Sequence, residues 1–194
     1  MRFVFLGDYI DRGPDSRSVV HRLIELQKEL PDAVICLKGN HEQMLENAER
    51  DAVQLFNWLA NGGNTTLDSY RVRHPRHIPL EHRAWLSSLP LQFDDGQRFF
   101  VHAGVDPFAP LNQQREEVLL WVRDEFPEDI DTGRLIVHGH TPLLSGKPEL
   151  RRWRLNIDTA AFAGGPLTAA MFTNEQVTPI AFLTDSGAIT PLLS

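Results

Sequence analysis

The sequence predicts an α/β fold built on parallel strands, and two observations carry that prediction. Four short apolar runs, Phe3 to Leu6, Val34 to Leu37, Phe99 to Val101 and Leu135 to Val137, each lead into a polar block containing glycine. Such runs read as buried strands. Between the first two lies a helical stripe, Val19, Val20, Leu23, Ile24 and Leu26, with Asp15-Ser16 ahead of it as a capping signal and Pro31 behind it as a stop. Strand, helix and strand in that order form the crossover unit of a parallel sheet.

The remaining elements follow in chain order. Glu42 to Leu59 mixes polar and apolar residues and reads as one or two helices, broken by Asn61-Gly62-Gly63-Asn64. Arg71 to His82, rich in Pro, His and Arg, reads as a surface loop, and a short helix follows through Trp85 and Leu86. Leu91 to Phe93 and Arg98 to Val101, joined by Asp94-Asp95-Gly96, read as a hairpin. Glu116 to Arg123 suggests a helix, and Pro127 to Thr132 an acidic loop. From Arg151 onward, short alternating runs between Gly, Asn and Asp suggest antiparallel strands. No internal repeat, low-complexity tract or linker divides the chain, so residues 1–194 are expected to form a single domain.

Composition narrows the partners. A net charge of −7 argues against a nucleic-acid partner, which calls for a basic face. It leaves phosphate substrates open, because a metal and local arginines can reverse the field inside an acidic protein. The single Cys36 cannot form an internal disulfide and, within Val34-Ile35-Cys36-Leu37, reads as an inert core residue. With no signal-peptide core and no apolar run of membrane-spanning length, a cytoplasmic protein without a membrane partner is expected.

The polar blocks carry the chemistry. They are Gly7-Asp8-Tyr9-Ile10-Asp11-Arg12-Gly13, Gly39-Asn40-His41-Glu42, His102-Ala103-Gly104 and His138-Gly139-His140-Thr141. Each sits at the carboxyl end of a predicted strand, where open α/β sheets place their ligand sites. A carboxylate, an amide oxygen and imidazoles make a mixed oxygen and nitrogen set suited to Mn, Fe or Zn.

In these blocks and their order the chain resembles the phosphoprotein phosphatase branch of the calcineurin-like metallophosphoesterases, especially the small bacterial Ser/Thr phosphatases. Leu119-Leu120-Trp121-Val122-Arg123 and Ile157-Asp158-Thr159 extend the similarity over most of the chain. The resemblance implies a two-sheet α/β/β/α sandwich. It also implies a metal site of Asp8, Asn40, His102 and His140, with Asp8 bridging two ions, most simply Mn, with Fe and Zn as alternatives. His138 is left outside that ligand set. His41 would protonate the leaving oxygen, and Asp11 would orient it; a carboxylate partner keeps an imidazole protonated near neutral pH. Arg12 and Arg123 would clamp the phosphoryl oxygens, since a guanidinium fork matches two of them. The structural alternatives are a turn-forming Asp8, a helix-capping His41 and a salt-bridged surface Arg123.

One expectation departs from the family. Its first motif, Asp-x-His-Gly at the end of an opening strand, occurs nowhere here, so the fold is expected to be N-terminally incomplete, with one ion in place of two. Asp106 is a conceivable replacement ligand. The strand through Phe3 to Leu6 would then present an unpaired edge, inviting self-association. The expected activity is metal-dependent hydrolysis of a phosphorylated protein or small phosphoester. Alternatives are a symmetrical dinucleoside polyphosphate hydrolase and a catalytically impaired phosphate-binding module. Arg151-Arg152 and Arg154 could contact an anion or decorate a solvated strand edge. Trp58, Trp85 and Trp153 read as packing residues. His74, His77 and His82 are too scattered around prolines to read as a second metal site.

Overall fold

The computed structural model describes residues 1–123 and 130–191, so the first part of the expected acidic loop, 127–129, lies outside the described residues. The chain divides into two compact units, Met1–Leu91 and Gln92–Ser194.

In the first unit β1 (Phe3–Phe5) and β2 (Val34–Cys36) pair in parallel, in the register Phe3↔Val34 and Phe5↔Cys36. Helix α1 (Ser16–Glu29) connects them and buries Val20, Leu23 and Ile24. The expected strand, helix and strand unit is therefore present, and β1 has β2 as its hydrogen-bonded neighbour in this sheet. Two helices follow, α2 (Asn40–Ala48) and α3 (Ala52–Trp58), the latter capped by the Asp51 carboxylate accepting from Gln54 N. The expected break comes as a π-type turn over Leu59–Gly63, kinked at Gly62 (φ 106°), that runs straight into α4 (Asn64–Tyr70). Asn64 thus starts a helix, because Thr66, Leu67 and Tyr70 recur at helical spacing and are all buried. Helix α5 (Leu80–Ser88) begins inside the stretch expected to be loop, with Pro79 ahead of its first turn.

Trp58, Leu45, Leu86, Val34 and Cys36 are all nearly or wholly inaccessible in this unit's core. Each large aliphatic side chain so buried contributes about 1.5–3 kcal/mol. Burial also pushes the Cys36 thiol up to about 12, fitting an unreactive core cysteine.

The described residues of the second unit form a mixed sheet in the order β3-β4-β5-β7-β6. Its strands are β3 (Gln92–Asp94), β4 (Arg98–Val101), β5 (Leu135–His138), β6 (Glu149–Leu150) and β7 (Arg154–Asn156). The expected β3–β4 hairpin is antiparallel, with Phe93 opposite Phe100. Strands β4 and β5 pair in parallel and are buried along their whole length. Strand β7 departs from the antiparallel expectation, pairing in parallel with β5 and antiparallel with β6. A period-two pattern fixes which face each residue takes but not the direction of a neighbour. Helix α6 (Glu116–Trp121) stops two residues short of Arg123. Strands β8 (Thr168–Met171), β9 (Ala181–Thr184) and β10 (Ile189–Pro191) form a separate antiparallel sheet, as expected of the C-terminal part.

Candidate functional site

In the first unit the predicted residues lie on the loop after β1 and at the start of α2. That loop is strained: Asp8 (φ 59°), Asp11 (φ 75°) and Arg12 (φ 63°) all adopt positive φ without being glycine. Such residues cost of order 1–3 kcal/mol each and persist only where the surroundings over-determine them. Here the surroundings do so. The fully buried Glu42 carboxylate accepts from Asp8 N at 2.9 Å, Tyr9 N at 2.8 Å and Gly39 N at 2.8 Å. Asp11 N donates to Thr66 Oγ1 at 2.8 Å and Ser16 Oγ at 3.2 Å. Arg12 N donates to Gly62 O at 3.2 Å, and Gly13 N closes a three-residue turn onto Asp11 O.

Close approach explains Gly39. A Cβ at that position would overlap both the Asp8 carboxylate and the Asp8 backbone nitrogen. The chain therefore brings the start of α2 against Asp8, and His41 N donates to Asp8 Oδ1 at 3.2 Å. Asn40 and His41 are buried, whereas Asp8 and Arg12 are exposed.

His41 and Asp11 form a buried pair, with Nδ1 and Oδ2 2.6 Å apart. The Asp11 carboxylate also accepts from Trp58 Nε1 at 2.8 Å and from the Thr66 hydroxyl at 2.6 Å. Burial opposes a charged His41, but the Asp11 hydrogen bond and the Asp8 charge outweigh it, so its pKa stands above the usual value. Nδ1 is thus engaged by Asp11, leaving Nε2 as the atom that can hold a transferable proton. Burial, then the Asp8 charge, push Glu42 up to about 7 against the pull of its three N–H donors.

In the second unit His102 follows β4 and His140 follows β5, and both are buried. His102 Nε2 and His140 Nδ1 lie 3.1 Å apart. Two imidazole nitrogens each about 2.0–2.1 Å from one ion would subtend roughly a right angle at that separation, so this pair fits a shared metal. His140 has φ 63°, and its three-residue turn is closed by Thr141 N on Gly139 O. Asn156 Nδ2 on Thr141 O and Gly139 N on His102 O hold that turn in place. Arg123 Nη1 donates to His140 O at 2.8 Å, which brings the predicted phosphate clamp to the predicted ligand. His138 points elsewhere: its Nδ1 lies 3.0 Å from Gly139 O, and burial, then the Arg154 charge, push it down to about 4. Asp106 is engaged in its own loop, with Oδ1 accepting from Phe108 N.

Comparison with known proteins decides the family. The calcineurin-like phosphoesterase profile matches residues 2–164. This chain belongs to that family. Among its relatives, the bis(5'-nucleosyl)-tetraphosphatase PrpE (asymmetrical) of Anoxybacillus flavithermus is 25% identical over 92% of this chain and 78% of that protein. Serine/threonine-protein phosphatase 1 of Salmonella typhimurium is 29% identical over 86% of this chain and 76% of that protein. The cold-active protein-tyrosine phosphatase of a psychrophilic Shewanella shares the fold, with a TM-score of 0.69 and 16% identity over 98% of this chain and 69% of that one. The chain is therefore a metallophosphoesterase, a mixed α/β hydrolase of a divalent-metal-dependent family. Among the described residues no helix is long and apolar enough to cross a membrane.

In this metallophosphoesterase the structure adds residues that sequence reasoning passed over. Glu42 holds the Asp8 loop, and Thr66 and Trp58 hold Asp11. Glu42 had a local signal, since its position three residues after Gly39 is that of a capping-box acid. Thr66 and Trp58 had none, lying 55 and 47 residues from Asp11. Of the remaining histidines, His82 accepts or donates at 2.7 Å with Tyr70, and His74 caps a short turn through Arg76 N.

Proposed function

We propose that this metallophosphoesterase hydrolyses phosphomonoesters in the manner of a Ser/Thr protein phosphatase, in the cytoplasm. The observation that carries the reading is the buried His41–Asp11 pair, set beside Asp8 on a strained loop. In this reading residues 1–194 act as one metallophosphoesterase domain, with Asp8, Asn40, His102 and His140 as the metal ligands. The 3.1 Å spacing of the two imidazole nitrogens supports His102 and His140 in that role.

A bound divalent ion, most simply Mn²⁺, would neutralise phosphoryl charge and activate the attacking water. The protein's own groups do the rest. His41 Nε2 holds the proton that the leaving alkoxide needs, and Asp11 fixes the ring by Nδ1. Arg12 and Arg123 bind phosphoryl oxygens and stabilise the charge that builds in the transition state.

A second reading is hydrolysis of dinucleoside polyphosphates. The Anoxybacillus relative, named as a bis(5'-nucleosyl)-tetraphosphatase, favours it. Steady-state turnover of a phosphoserine peptide and of diadenosine tetraphosphate, each with Mn²⁺, separates the two. Asp8→Asn is expected to reduce both metal content and p-nitrophenyl phosphate turnover. Full metal occupancy with parental turnover in that variant would refute the assignment.

A further inference from the structure

The second unit contains a cavity of about 240 Å³, enough for several water molecules or one small polyatomic ion. Its polar lining comes from Arg123, His138, Glu149, Arg151, Arg154 and Asn156. The β5–β7 register explains why they meet. Ile136 faces Arg154 and His138 faces Asn156, so one face of the sheet gathers these side chains, and Glu149 of β6 lies opposite Asn156.

Charge and unmet hydrogen bonding both suggest a ligand. Three guanidiniums line the cavity against one carboxylate, Glu149, which Arg151 Nη2 and Arg154 Nη2 share at 3.0 Å each. Two buried polar atoms, Arg154 Nε and His138 Nε2, have no hydrogen-bond partner among the described residues. Buried polar groups are nearly always paired, so each such atom calls for a partner. Arg154 Nε is a donor. The Nδ1 of His138 lies at the Gly139 carbonyl, so its other nitrogen is the one left facing a missing partner.

We propose that this cavity is an oxyanion subsite for a phosphate group. Arg151 and Arg154 meet the oxygens, Arg154 through the Nε that otherwise has no partner among the described residues. The shared chemistry has two sources, a further phosphoryl group of the substrate or free inorganic phosphate. The first source rests on the hydrolase reading above, since Arg123 lines the cavity and is there assigned to the reacting phosphoryl group.

Calorimetric titration of the chelator-treated full chain with inorganic phosphate tests the subsite apart from any metal centre. Phosphate is expected to bind. Arg151→Gln and Arg154→Gln should each weaken phosphate at least tenfold. Glu149→Gln should tighten it, a gain that misfolding would not produce. No binding, or binding unmoved by these three changes, overturns the proposal.

Kinetics with Mn²⁺ then distinguish the sources. If Arg151→Gln raises KM for diadenosine tetraphosphate and leaves p-nitrophenyl phosphate unchanged, the subsite serves the substrate. If both stay unchanged while phosphate binding is lost, it serves free phosphate. A parent protein that hydrolyses neither compound defeats the hydrolase reading alone, because the calorimetry still reports on the cavity.

Discussion

Replacing Glu42 by Gln adds almost no volume and takes away one of two acceptor oxygens, yet it should be severely destabilising. The carboxylate is wholly inaccessible and meets three backbone donors: Asp8 N and Gly39 N on Oε2, and Tyr9 N on Oε1. An amide offers a single acceptor oxygen. If that oxygen takes the Asp8 and Gly39 donors, the amide nitrogen is pressed against Tyr9 N–H, leaving two donors face to face. A buried unsatisfied group costs about 1–3 kcal/mol, so the pair amounts to roughly 2–6 kcal/mol. That is a large part of a typical stability of about 5–15 kcal/mol. Urea unfolding followed by far-UV circular dichroism measures the loss, with the slope watched for any change in the unfolded state. Phosphatase activity should fall as well in conditions where the variant is still folded, because Asp8 keeps its left-handed conformation through Glu42. A Glu42→Gln protein within about 0.5 kcal/mol of the parent would refute this account of the loop.

Three further outcomes are expected. His41→Asn should slow hydrolysis of alkyl phosphates by roughly 10²–10⁴-fold and of p-nitrophenyl phosphate by much less, since nitrophenolate barely needs a proton; equal losses would make His41 structural. Trp58→Phe keeps most of the buried ring but deletes the N–H that reaches Asp11 at 2.8 Å, and should cost about 1.5–3 kcal/mol in chemical unfolding, as expected for a bond to a charged acceptor. His82 is buried and its pKa is lowered, first by burial and then by the His21 charge, with Glu81 opposing. Protons therefore bind the unfolded chain better than the folded one at this residue. Its share of stability is complete above the ordinary histidine pKa and falls as pH drops below about 6.5. Thermal midpoints between pH 7.5 and 5.5 should decline less steeply in His82→Gln than in the parent, and parallel slopes would exclude His82 as a contributor.

Local pattern carried most of what was legible. The runs ending at Leu6, Leu37, Val101 and Val137 all contain strands, and the capping and stop signals around α1 bracket a real helix. Apolar runs next to glycine report burial directly, which is why they translate well. Pairing direction translated for β1 with β2 and for the β3–β4 hairpin but not at β7, which joined β5 in parallel because partner choice depends on the crossover. Within each unit several candidate residues come together: His41 on Asp11, Arg123 on the His140 carbonyl, His102 beside His140. The groups that hold them in place were illegible for a different reason. Thr66 and Trp58 are ordinary helix residues in the sequence, and only the π-type turn at Leu59–Gly63 aims both at Asp11. A turn of that kind leaves no periodic signal, and it is found preferentially at functional positions.

Backbone strain gives the arrangement its logic. Among the described residues that are not glycine, positive φ falls on Asp8, Asp11, Arg12 and His140, predicted as ligand, orienting acid or clamp, and also on Arg71 and Ala160, which carry no such prediction. A left-handed residue turns the chain sharply at the end of a strand, so side chains near one another in sequence can point at different targets. Asp8 and Asp11 show this, one exposed and the other buried on His41, although three residues apart. The strain is held by protein groups, Glu42 for Asp8, Thr66 and Ser16 for Asp11, and Asn156 for the turn at His140. Under the proposed ligand set, an ion would meet side chains whose loops the protein already orders, which is the condition under which binding energy can go into charge stabilisation instead.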